Sequence, residues 1–219
     1  VAHTTTIEAD SAIRTHLEQH VRGAVRAGRQ IAGTAQVVDD AGWDTAGEAH
    51  YGPRWPQRRD RINGFVDSQG RVWIHQNRGD PGTMIHEAIH KYGGSAFIQQ
   101  SQPLNEGVTE YFARQVIAQV HPTLTRRNYQ ENTVTVTALV GLVGEGVVAR
   151  AYFDDNIAGL RNRYNSMHRK TQGTNWFGSG LKDRVWNALG GSTPWQEFCE
   201  LCTAENWSGA RAKLQAPEG

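Results

Sequence analysis

Cysteine is scarce in this chain. Only Cys199 and Cys202 occur in 219 residues, which excludes a small disulfide-stapled domain by count. A single C-x-x-C, with no second pair and no strand-then-helix redox context before it, reads as two small apolar residues on a helix near Trp195 and Phe198. A long hydrophobic run is missing too. The longest apolar region, residues 134–148, is broken by threonines, glycines and Glu145, and nothing approaches the roughly 18 apolar residues of a membrane span. Charge of one sign is also absent. Lys+Arg number 23 and Asp+Glu 22, a formal net charge of +1. That balance gives no electrostatic ground for nucleic acid or an anionic membrane as the main partner. The chain begins Val1-Ala2-His3, without Met or a basic-then-apolar leader, and is expected to be trimmed or processed. No repeat, low-complexity tract or obvious linker divides it, so residues 1–219 read as one domain. Histidine, by contrast, is plentiful at nine, and the placement of two of them carries the functional reading.

Periodicity predicts a helix over 7–31, with Ile7, Ile13, Leu17, Val21 and Val25 along one face, then a strand over 31–38. Residues 39–61, rich in Gly, Pro, Trp and Arg, read as a loop. Within it, Arg54-Trp55-Pro56-Gln57-Arg58-Arg59 reads as an exposed, solvated stretch. Alternation at 62–66 and 71–75 around Asp67-Ser68-Gln69-Gly70 predicts a hairpin. Asp80 as cap and Pro81 at the first helical position start a helix. Further helices are expected at about 103–120, 128–153, 156–168 and 181–189. Thr193-Pro194-Trp195-Gln196 opens one more through a capping box. The fold class is α+β, with a small, mostly antiparallel sheet in the N-terminal half and helices behind it.

The chemistry sits at residues 86–110. His86-Glu87-Ala88-Ile89-His90 is an H-E-x-x-H pattern. On a helix, residues four apart lie one turn apart on one face, so both imidazoles can address one metal ion. Ile85, Ala88, Ile89 and Tyr92, at i, i+3, i+4 and i+7, form an apolar stripe beside the histidines, which supports the helical frame. Neutral imidazole is a good Zn²⁺ ligand, and Glu87 is placed to take a proton from a water that the metal activates. A tetrahedral catalytic centre needs a third protein ligand. Glu106, in Leu104-Asn105-Glu106-Gly107-Val108-Thr109-Glu110-Tyr111-Phe112, follows His90 after a Gly93-Gly94 break. A second helix running back would bring it to the histidines. Glu110, one turn on, is placed to accept the other N–H of His86 and fix its tautomer.

The pair H-E-x-x-H and N-E-G-x-x-E-Y-F resembles the gluzincin group of zinc peptidases, which includes the thermolysin-like and aminopeptidase-N-like families. The resemblance covers about residues 71–116. It implies a helical zincin core, one zinc ion per chain held by His86, His90 and Glu106, and Glu87 as general base. Glu110 and Asn105 stand behind the ligands. The spacer between His90 and Glu106 is shorter than in familiar members. The G-x-M-E-N segment of the aminopeptidases is not visible, which leaves an exopeptidase unsupported. The strand at 71–75 stands where gluzincins keep an edge strand, implying an endopeptidase that takes an extended peptide or protein by β-addition. Gluzincins also supply an oxyanion donor beyond the glutamate helix. Tyr152, at a helix end, is preferred, with Tyr164 and His168 as alternatives.

Other readings are weaker. A metzincin would need a third histidine at position 96, which is Ala96. A metal-binding or interaction domain without turnover would not need Glu87. A non-metal hydrolase has only runs such as Gly178-Ser179-Gly180 in its favour, with no nucleophile elbow. A delivered toxin domain of a bacterial polyprotein and a processed secreted enzyme remain equally open as physiological roles.

Overall fold

The structure, a computed structural model, describes residues 5–29, 35–171 and 193–215. By its contacts the chain divides into two compact units, residues 1–93 with 112–127 and residues 94–111 with 128–219.

In the first unit, Thr5 and Glu8 form a capping box that opens α1 (Thr6–His16), and α2 (Glu18–Arg26) follows. The single helix expected over 7–31 is thus broken at Leu17, whose φ of −118° and ψ of 22° leave the helical region. It also ends early. Gly28 takes a φ of +77°, and the Arg29 N–H reaches back to the Ala24 carbonyl at 3.0 Å, a glycine stop that satisfies the last carbonyls. The buried face is Ala9, Ile13, Leu17, Val21 and Ala24, whereas Ile7 is 73% exposed.

After β1 (Ala35–Val38), the residues read as a loop are helical instead: α3 (Asp40–Tyr51), a 3₁₀ turn at Gly52–Arg54 and α4 (Trp55–Arg58). Asp39 caps α3 by accepting from the Gly42 N–H at 2.9 Å. Trp43 and Ala46 of α3 pack with Trp55 and Phe65 into one core cluster. A Cβ at Gly47 would come within 2.3 Å of the Trp55 ring, so only glycine lets the two helices meet there. The basic–aromatic stretch is exposed at Arg54, Pro56 and Gln57 as expected, but it is anchored at two points. Trp55 is buried, and Arg59 forks onto Asp44 at 2.6 and 3.0 Å.

β2 (Gly64–Val66) and β3 (Val72–His75) form the expected hairpin, with Gly64 opposite Ile74 and Val66 opposite Val72. Gly70, at a φ of +75°, closes the turn. The strand order is β1-β3-β2, and β1 pairs with β3 in parallel. The α+β class therefore holds, with a mixed sheet of one parallel and one antiparallel ladder. β3 is its central strand, so the expectation of an open edge at 71–75 is corrected: partners occupy both sides of that strand. His75 ties β3 to α3. The Asn77 N–H donates to its Nδ1 at 3.2 Å, which leaves Nε2 to donate to Asp40 at 2.8 Å. The unit also holds α5 (Pro81–Tyr92).

The second unit is helical. It contains α6 (Ser95–Ile98), the first part of α7 (Gln102–Val120), α8 (Gln130–Val143), α9 (Glu145–Phe153), α10 (Ile157–Thr171), α11 (Pro194–Thr203) and α12 (Trp207–Ala212). The continuous helix expected over 128–153 is bent by 114° between α8 and α9, where Gly144 takes a φ of +94°. α11 starts at the expected capping box of Thr193 and Gln196. α12, capped by Asn206, was not foreseen. The helix expected at 181–189 and the Gly178-Ser179-Gly180 run lie outside the described residues. Cys199 and Cys202 are free and buried on α11 beside Trp195 and Phe198. Burial pushes the Cys202 thiol up to about 12 and that of Cys199 higher still, as two packed apolar residues require.

Candidate metal centre

α5 is anchored at both ends. Asp80 accepts from the Thr83 N–H at 2.6 Å while Thr83 Oγ1 accepts from the Asp80 N–H at 3.2 Å. Pro81 occupies the first turn. Arg126, with only 3% of its side chain exposed, donates to the same Asp80 carboxylate at 2.8 Å. At the other end, the Tyr92 hydroxyl donates to Asp10, and Arg14 Nε donates to the Tyr92 oxygen at 3.2 Å. Burial and the Asp10 carboxylate together hold that phenol far above its ordinary range. Arg29 donates to the Tyr92 carbonyl at 3.1 Å. The predicted apolar stripe of Ile85, Ala88, Ile89 and Tyr92 is wholly buried. A helix held at its cap, stripe and C-terminus gives its remaining face a fixed direction.

That face carries His86 and His90. Their ring centroids are 4.9 Å apart with planes at 78°, the separation expected one turn apart. His86 is buried and His90 half-buried. Glu87 is 6% exposed. Its neighbour is a residue that the motif did not reveal, Gly64 of β2. A Cβ built there would lie 2.8 Å from Glu87 Cγ, 3.0 Å from Glu87 Oε1 and 2.9 Å from Thr83 Cγ2. A glycine inside a short strand is the only signal the sequence offered for this close approach.

On the first part of α7, Glu106 is half-buried, Asn105 is 3% exposed and Glu110 is fully buried. Gly107 of the N-E-G segment has a packing reason. A Cβ there would lie 3.0 Å from the Asn132 Cβ, the Asn132 carbonyl and Val136 Cγ2, so glycine lets α8 approach. Asn132 also donates to the Pro103 carbonyl at 2.8 Å. Thr109 Oγ1 donates to the Asn105 carbonyl at 2.9 Å. Its one proton is thereby used, so the Tyr152 hydroxyl, 2.6 Å away, is the donor to Thr109. Tyr152 is fully buried, edge-on to Phe97 and Phe153. In this structure Tyr152 pins the turn of α7 between Asn105 and Glu110. Service as an oxyanion donor requires its bond to Thr109 to open. Tyr164 is buried against Trp195 and Phe198 and donates to the Lys213 carbonyl at 3.4 Å. The side chain of His168 lies outside the described residues.

The ligand atoms of His86, His90 and Glu106 all lie within 4.8 Å of one another, a group able to hold a metal ion. Bonds of about 2.0–2.2 Å put the ligand atoms of a tetrahedral centre ~3.3–3.5 Å apart. Two imidazoles and a carboxylate are donors of the kind that zinc takes. No protein-family model, curated protein or solved structure matches the chain.

Proposed function

We propose that this chain is a zinc-dependent peptidase of the gluzincin kind, cutting within extended peptides or proteins. The observation that carries the reading is the gathering of His86, His90 and Glu106 with Glu87 on the same short helix. A structural site needs no carboxylate in that place. When bound, zinc would supply a Lewis acid that acidifies water and polarises a carbonyl. Glu87 takes the proton from the attacking water and returns it to the leaving amine. Glu110, one turn beyond Glu106, orients a ligand imidazole by accepting its other N–H.

The peptide cannot dock on β3, because both its sides are paired. β2 is the alternative. The His75 N–H bonds the Asn63 carbonyl and the Asp67 N–H bonds the Arg71 carbonyl, each at 2.9 Å. Antiparallel pairing alternates, so Gly64 and Val66 turn their backbone groups to the side of β2 away from β3. Gly64 is also the residue against Glu87. An extended substrate adding to this edge runs past the proposed base.

The test is metal analysis of the purified chain, followed by digestion of casein by the zinc-loaded protein with and without chelator. The expected result is one zinc per chain and cleavage that chelator abolishes. No zinc uptake on titration overturns the metal assignment. Zinc without cleavage of casein or a peptide library leaves a binding domain and overturns the peptidase.

A further inference from the structure

We infer that Gly64 is a positioning residue for Glu87, an inference that rests on the peptidase reading. Side chains alternate along β2. Phe65 joins the cluster of Trp43 and Trp55, so position 64 faces the other way, onto α5. There it meets Thr83 and Glu87, which at i and i+4 share one helical face. The approach is closer than any side chain permits. A Cβ at 64 would sit 2.8 Å from Glu87 Cγ and 2.9 Å from Thr83 Cγ2. Contact at Cγ is decisive. A clash with the carboxylate tip alone would be relieved by turning the last torsion. A clash at Cγ forces the whole side chain into another rotamer, and the carboxylate moves with it. The bare backbone at Gly64 therefore leaves room for the arrangement of Glu87 that any side chain there would displace. Gly64 has no positive φ to explain it, so the space is the reason for the glycine.

The experiment is a set of kinetic and folding cycles on the full chain, loaded with zinc. Gly64→Ala should retain one zinc and nearly the wild-type KM while kcat falls by about 10²-fold, the scale of a misplacement near 1 Å. Combining it with Thr83→Ser removes the second clashing atom and keeps the capping hydroxyl, and should not restore kcat. In urea unfolding, Gly64→Ala should lower the midpoint in the wild-type background and hardly at all in a Glu87→Ala background, where no Cγ is left to meet the new methyl. Zinc loss in Gly64→Ala, an unchanged kcat, or an equal penalty in both backgrounds overturns the inference and leaves the peptidase standing. A zinc-loaded wild type that cuts nothing overturns both. Should Gly64→Ala fail to fold, adding Glu87→Ala should restore a cooperative urea transition where Thr83→Ser does not. The absence of that rescue overturns the inference on stability alone.

Discussion

At the scale of single residues, the three carboxylates of the candidate centre are distinguished by what each loses on amidation. Glu87→Gln keeps a similar volume but cannot accept the water proton. Zinc content should be unchanged and turnover should fall by about 10²–10⁴-fold, the usual contribution of general acid–base catalysis. A loss below tenfold would assign the proton to another group. Glu106→Gln removes the anionic charge of a proposed ligand, so it should release zinc more readily than Glu110→Gln in a chelator competition. Equal release would mean their roles are assigned wrongly. Tyr152→Phe removes the donor to Thr109 and should cost about 1–3 kcal/mol in urea unfolding, as a buried acceptor loses its partner. If Tyr152 also reaches the oxyanion, kcat should fall a further 10²–10³-fold with KM little moved. A kcat near wild type confines it to pinning α7.

At the scale of elements, what the sequence displayed was local. α5 was legible because Asp80, Pro81 and a stripe at Ile85, Ala88, Ile89 and Tyr92 all indicate the same helix. α11 was legible from its capping box. α3 was not, because its glycines and polar residues suggest a loop and its stability comes from Trp43 meeting Trp55 and Phe65, contacts distant in sequence. The hairpin could be read from its turn, but the central place of β3 could not, since β1 joins across α3 and no local pattern records strand order. For the candidate site, the grouping of His86, His90 and Glu106 was legible as spacing. Gly64 was not, because its meaning lies in the helix opposite.

The hairpin turn also carries a pH dependence. Burial raises the Asp67 carboxyl, but bonds from Trp73, Arg71 and Gln69 outweigh it and hold the group from its ordinary 3.8 down to about 2. A depressed carboxylate contributes stability that is fully present above its unfolded value and is lost as pH falls through the folded one. The contribution of Asp67 should therefore fade between about 4 and 2. Asp67→Asn should remove that slope from acid unfolding curves, and an unchanged slope would place the acid sensitivity elsewhere.

At the scale of the molecule, a metal that binds only the folded chain adds to its stability by mass action, about 2.7 kcal/mol when free zinc is 100 times Kd. Chelation should lower the thermal midpoint, and zinc should restore it. A midpoint indifferent to both would remove the metal from the account. The two thiols of α11 offer a different kind of access to the fold. They are the chain's full complement of sulfhydryls, both sit in the second unit, and burial keeps them protonated. An alkylating reagent can therefore mark Cys202, which is fully buried, only when α11 opens. Labelling rates at rising reagent concentration would follow and then saturate at the opening rate of that unit, making the wild-type chain its own clock for motion in its C-terminal half.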